Sequence, residues 1–164
     1  MTRAKFQEIY IAELQELRSA EAQLVEALPR IADQARHAEL KEVLRDHLEV
    51  TRTHLARLED LLRRHGADPR AHVDQALEAL LRETGKLARQ VSDPDVLDAE
   101  LIGSVQRIEH YEIAAYGTVA TYAKGLGLDE DLQVLLATLE EEKEADSRLT
   151  DLAKDTVNRD AAAA

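Results

Sequence analysis

EHYEIAAYG, residues Glu109 to Gly117, sets two acids on the same side of a helix as its apolar residues. At about 100° per residue, Glu109 and Glu112 fall inside the arc of Ile102, Val105, Ile113, Tyr116, Ala120 and Ala123. That arc is the face a helix buries. An ionised carboxylate loses several kcal/mol on entering a protein interior, so two of them together require cations, protons or a metal. The surrounding sequence has to supply one of these.

Composition narrows the choice. The chain has 164 residues, 45% hydrophobic and 33% charged, with three prolines and six glycines. That balance fits one nearly all-helical domain with a full core. We take residues 1–158 as a single bundle domain and 159–164, ending in four alanines, as a frayed tail. A net charge of −12 argues against nucleic acid and anionic membranes as partners. No cysteine is present, so any metal is held by oxygen and imidazole. MTRAKFQEIY has no apolar signal core and no segment approaches the ~20 apolar residues of a membrane span, so a cytoplasmic address is expected.

Helical periodicity extends outward from Glu109 in both directions. Phe6, Tyr10, Leu17, Leu24, Leu28 and Ile31 mark a first helix from about Arg3 to Arg36, with a kink or break expected at Pro29. After a turn around His37, Leu40, Leu44, His47, Thr51, His54, Leu58 and Leu61 line a second helix from Glu39 to His65. Gly66-Ala67-Asp68-Pro69 predicts a stop and a new start, giving a shorter helix over Arg70 to Gln90 with Asp68 as its cap. Ser92-Asp93-Pro94 repeats the signal. A long helix then runs to Lys124, where Gly125 and Gly127 break it, and a last one covers about Glu130 to Thr156. Four long helices with a shorter one between the second and third make an all-α four-helix bundle, the extra helix being long enough to permit a crossover in which helices two and three run parallel.

Counting from the tight turns gives each acid a height. Glu21 lies 16 residues before His37 and His54 lies 17 after it, both ~25 Å from that turn. Glu109 and Glu112 lie 17 and 14 residues before Leu126 and Glu142 lies 16 after it, or ~21–25 Å from theirs. In a bundle ~45 Å long these groups meet near the middle. Glu13 is two turns off, which favours Glu21. Carboxylates from several facing helices at one level, with imidazole nearby, are what a carboxylate-bridged di-iron or di-manganese centre requires.

The pattern Tyr10-x-x-Glu13-Leu14 with Glu21 seven residues on, His47-x-x-x-Thr51, Asp98-Ala99, EHYEIAAYG and Leu139-x-Glu141-Glu142-x-x-x-Asp146-x-x-Leu149 resembles the YciF-like family of the ferritin-like superfamily. The likeness spans nearly the whole chain. It implies a ferritin-like four-helix bundle, a homodimer, a stress-response role and a di-metal site of Fe or Mn. The ligands it implies are Glu21, Glu109, Glu112 and Glu142, with Asp146 as a terminal or supporting ligand; our own reading of the residues adds His54 as an auxiliary one. A working centre of that kind reacts with oxygen or peroxide, as in a di-iron oxidase or peroxidase. The chain departs from the family pattern at Val50, where glutamate is expected before Thr51, and at His54, where glutamine is more usual.

The competing expectation is a structural or interaction module whose centre has degenerated. Val50 favours it, and so does Lys143, which is expected to face inward beside Glu142 and neutralise it. His47 reads as a core histidine, His110 as a surface or supporting group, and Tyr116 as a core phenol able to donate to a ligand carboxylate. Of the acidic run Glu140 to Glu144, only Glu142 is expected to point inward.

Overall fold

In a computed structural model, which describes residues 3–164, the chain folds into helices α1 (Arg3–Gln34), α2 (Ala38–Arg64), α3 (Gln75–Ala88), α4 (Pro94–Leu126) and α5 (Asp129–Leu152). A single π-helical turn, Ala153–Val157, leads into α6 (Asn158–Ala163). Ala153 and Val157, in and at the end of that turn, are packed into the core, whereas α6 buries no side chain. Helix α1 runs through Pro29 without interruption. Proline there removes only one backbone donor, and Leu28 and Ile31 on either side are anchored by burial.

Helices α1 and α2 form one antiparallel hairpin and α4 and α5 another, while α3 packs across α4 and α1. The register between the hairpins is fixed by Asp98 near the start of α4. Its two carboxylate oxygens accept the backbone N–H groups of Arg36 and His37, both at 2.8 Å. The start of α2 therefore sits beside the start of α4, and the two helices run parallel, as the crossover permits. At the opposite end, Asp131 on the first turn of α5 accepts Tyr10 Oη–H at 2.8 Å and contacts His65 Nε2 at 2.6 Å.

Local chemistry accounts for most helix ends. Asp93 caps α4 through the N–H groups of Asp95 and Val96. Gly125 stays helical, and Gly127 ends the helix at φ +70°, a left-handed conformation that glycine adopts without strain. Helix α3 starts later than the sequence suggests. Asp68 only closes a local turn onto Arg70 N–H, whereas Asp74 caps α3 through Leu77 N–H at 2.8 Å. Asp74 is favoured because it is also built into the core: Ser19 Oγ accepts its N–H, and Tyr111 Oη–H donates to its second oxygen at 2.5 Å.

The core is in two parts. One gathers Leu24, Leu28, Leu44, Leu101, Val105 and Leu149 toward the α1–α2 turn. The other gathers Tyr10, Leu14, Leu58, Leu61, Val119 and Leu135 toward the opposite end. Between them lies a layer of buried acids and imidazoles.

Candidate metal centre

Each bundle helix contributes to that layer: α1 gives Glu21, α2 gives His47 and His54, α4 gives Glu109 and Glu112, and α5 gives Glu142. All are buried, His47 being the most exposed at 6%. The side chains fall into two overlapping groups. His47, Glu109, Glu112 and Glu142 each bring one donor atom within 4.8 Å of the others, and so do Glu21, His54 and Glu142. Glu142 belongs to both.

Contacts within the layer are close without being hydrogen bonds. His47 Nε2 stands 3.0 Å from Glu109 Oε1, and His54 Nδ1 stands 2.8 Å from Glu142 Oε1 and 3.5 Å from Glu21 Oε1. Yet both oxygens of Glu109, Glu112 and Glu142, with Glu21 Oε2, His47 Nε2 and His54 Nδ1, find no properly directed partner among the described residues. Buried polar groups are nearly always satisfied, so a cluster of orphaned atoms needs a cause. In each group the donor atoms lie within 4.8 Å of one another. Donors on opposite sides of an ion at about 2.2 Å stand about 4.4 Å apart, close to the spread seen here. Four ionised glutamates also balance the charge of two divalent ions. The donor set fits such ions in number, type and charge.

Metal-free, the same layer holds protons. Burial pushes Glu109 up to about 7, with His47 pulling partly the other way. Burial, reinforced by the carboxylates of Glu142, Glu21 and Glu109, holds Glu112 well above the usual range. Burial likewise raises Glu21. Burial alone would lower the imidazoles, but Glu109 and its neighbours lift His47 to about 9, and Glu142 and Glu21 lift His54 to about 10.

A second ring of contacts orients these side chains. His54 Nε2 lies 2.8 Å from Glu141 Oε2, and Glu141 is gripped by both terminal nitrogens of Arg57. The guanidinium holds Glu141 below the ordinary carboxylate range, so it accepts only. His54 must therefore carry its proton on Nε2 when neutral, which leaves the Nδ1 lone pair facing the cluster. On the other side Tyr116 Oη–H donates to Glu21 Oε1, in line with the donor role expected of this phenol.

Several expectations need correction. Asp146 does not join the cluster: four residues past Glu142 it is rotated about 40° toward the flank of α4, where it accepts Gln106 Nε2–H at 3.0 Å and faces His110 at 3.3 Å. Lys143 points outward and pairs with Glu140. His47, read as a core histidine, stands against Glu109. Glu141, read as part of a solvated face, is the partner of His54. Glu21, His54, Glu109, Glu112 and Glu142 are brought together. Val50 leaves the layer without a further carboxylate on α2.

The fold and its interior define a class: a ferritin-like four-helix bundle with a crossover helix and a buried carboxylate–histidine layer. A family described as a domain of unknown function, DUF892, matches residues 5–162. Protein YciF of Escherichia coli strain K12 is 34% identical over 165 residues, covering 98% of each chain. The crystal structure of the E. coli stress protein YciF superposes with a TM-score of 0.88 at 36% identity, covering 93% of this chain and 97% of that one. YcfI of Rhodopseudomonas palustris, described as a candidate structural protein, gives 0.86 at 34% identity, covering 88% and 92%. The chain belongs to this YciF-like family.

Proposed function

We propose that this protein binds two divalent iron or manganese ions in its buried layer and works as a stress-response protein whose centre meets oxygen or peroxide. The observation that carries the reading is the clustering of orphaned carboxylate and imidazole atoms in two groups that share Glu142. His47, Glu109 and Glu112 would hold one ion and Glu21 and His54 the other, with Glu142 belonging to both groups. Bound there, the ions supply redox chemistry that no side chain of this chain can. The protein's own part is to orient and to exclude water. Tyr116 fixes Glu21, Glu141 fixes the tautomer of His54, and the apolar halves of the core keep bulk water from both sides. The stress role is suggested by the E. coli relative. A homodimer and a cytoplasmic location belong to the same proposal; among the described residues, no helix is long and apolar enough to cross a membrane.

The second reading is a structural module. The description of the R. palustris relative favours it, as does the proximity of His47 to Glu109 and of His54 to Glu142, which could neutralise one another. Elemental analysis of protein purified without chelator, followed by cobalt titration of stripped protein, separates the two. The metal reading expects one to two Fe or Mn per chain and saturation near two cobalt ions; values near zero in both would leave the structural module.

A further inference from the structure

We propose that the groove between α2 and the C-terminal half of α5 is the route by which divalent cations reach the centre, with His47 at its inner end. The inference rests on the metal-binding reading and adds to it a path and a charge mechanism.

Two cavities on this face, of about 180 and about 460 Å³, share Val43 and Arg148 in their walls and so adjoin. The smaller, inner one is lined by His47, Val50, Glu141 and Glu144. His47 thus has two sides: it forms the wall of the cavity, while its Nε2, buried and without a hydrogen bond, stands 3.0 Å from Glu109. The cavities between α1 and α3 and along α4 and α5 contain no residue of the buried layer.

The outer cavity is acidic. Glu39 and Glu42 on α2 face Asp151 and Asp155 on the other wall. A cleft lined by one sign of charge concentrates the opposite ion and speeds its arrival. The shared cation, Arg148, is held aside by Asp46 on α2 at 3.0 Å, with both side chains half exposed. Such a pair opens at little cost. Inside it, Val50 and Ala145 give apolar stretches of wall that leave the space open between the carboxylates of Glu141 and Glu144. At roughly 30 Å³ per water, the inner cavity is large enough for an ion with much of its hydration shell. The first residue of the buried centre that it meets is His47. A glutamate at position 50 would stand in this wall, so valine there opens the approach.

The test is the rate of cobalt binding to the stripped full-length chain, followed by stopped-flow absorbance of the ligand-field bands, with final stoichiometry read from the same traces. The Val50→Phe variant should fill the passage and slow binding several-fold, with unchanged stoichiometry. Because a core change can impair folding, Glu42→Lys with Glu144→Lys, both at exposed positions, should independently slow binding by roughly tenfold at low salt and flatten its dependence on ionic strength. Binding at the wild-type rate in both variants, with full stoichiometry, would overturn the route while leaving the centre intact. A wild-type chain that takes up no cobalt would instead remove the metal reading and this inference together.

Discussion

Glu142 is the side chain common to both donor groups, whereas Glu109 serves only one. Their alanine variants should therefore differ. Glu142→Ala should lose both ions, and Glu109→Ala should lose the one beside His47 and keep the other, as counted by cobalt titration with circular dichroism to show the fold retained. Equal losses would contradict a shared role for Glu142. Glu112 sits in the layer with neither oxygen satisfied, so in metal-free protein Glu112→Leu should raise stability by about 1–3 kcal/mol while weakening metal binding; chemical denaturation in chelator reads the first effect. Glu141 belongs to neither group, but it sets which nitrogen of His54 is free. Glu141→Ala should lower affinity for the His54-bound ion about 10- to 100-fold, seen in competition with a chelating dye.

Helix register decides which of these side chains meet, and it rests on Asp98. The carboxylate clamps the N–H groups of Arg36 and His37. Measured from that clamp, His47 is ten residues past His37 and Glu109 eleven past Asp98, so the two stand level. Asp98→Ala should cost about 1–2 kcal/mol in denaturant melts and loosen the His47-side ion more than the His54-side one. The same clamp explains what was legible. Glu109 and Glu112 were readable because an apolar arc cannot hide acids, and Glu21, His54 and Glu142 because counting from tight turns gives height directly. His47 was read as a core histidine because it lies two turns nearer the start of α2 than His54, and nothing in the sequence says which residue of α4 stands level with it until the Asp98 clamp fixes the register. Glu141 and Lys143 exchanged their expected roles because one residue of helix is 100° of rotation; a half-buried position can face either way until a partner such as Arg57 claims it. The start of α3 was missed because Asp68-Pro69 carries the local signal, while the deciding bonds of Asp74 come from Ser19 and Tyr111, distant in sequence.

The molecule as a whole is two apolar cores joined through a charged layer, so its stability should respond to pH in opposite senses with and without metal. In metal-free protein, Glu109, Glu112, Glu21, His47 and His54 all have folded-state values above their unfolded ones. The folded state then binds more protons than the unfolded chain, and stability falls as pH rises. For the imidazoles that contribution is fully present below the unfolded value of 6.5 and is lost as pH rises through about 9 for His47 and about 10 for His54. For Glu109 it is lost as pH rises through about 7. Metal bound in the layer would reverse the sign, because each ligand must shed its proton to bind and such ions would bind only the folded state. Calorimetry from pH 6 to 9 should show the Tm in chelator falling, and the increment added by saturating manganese growing over the same range. A metal increment that stays flat across that range would mean that the ions bind at the acidic surface, away from the layer between the two cores.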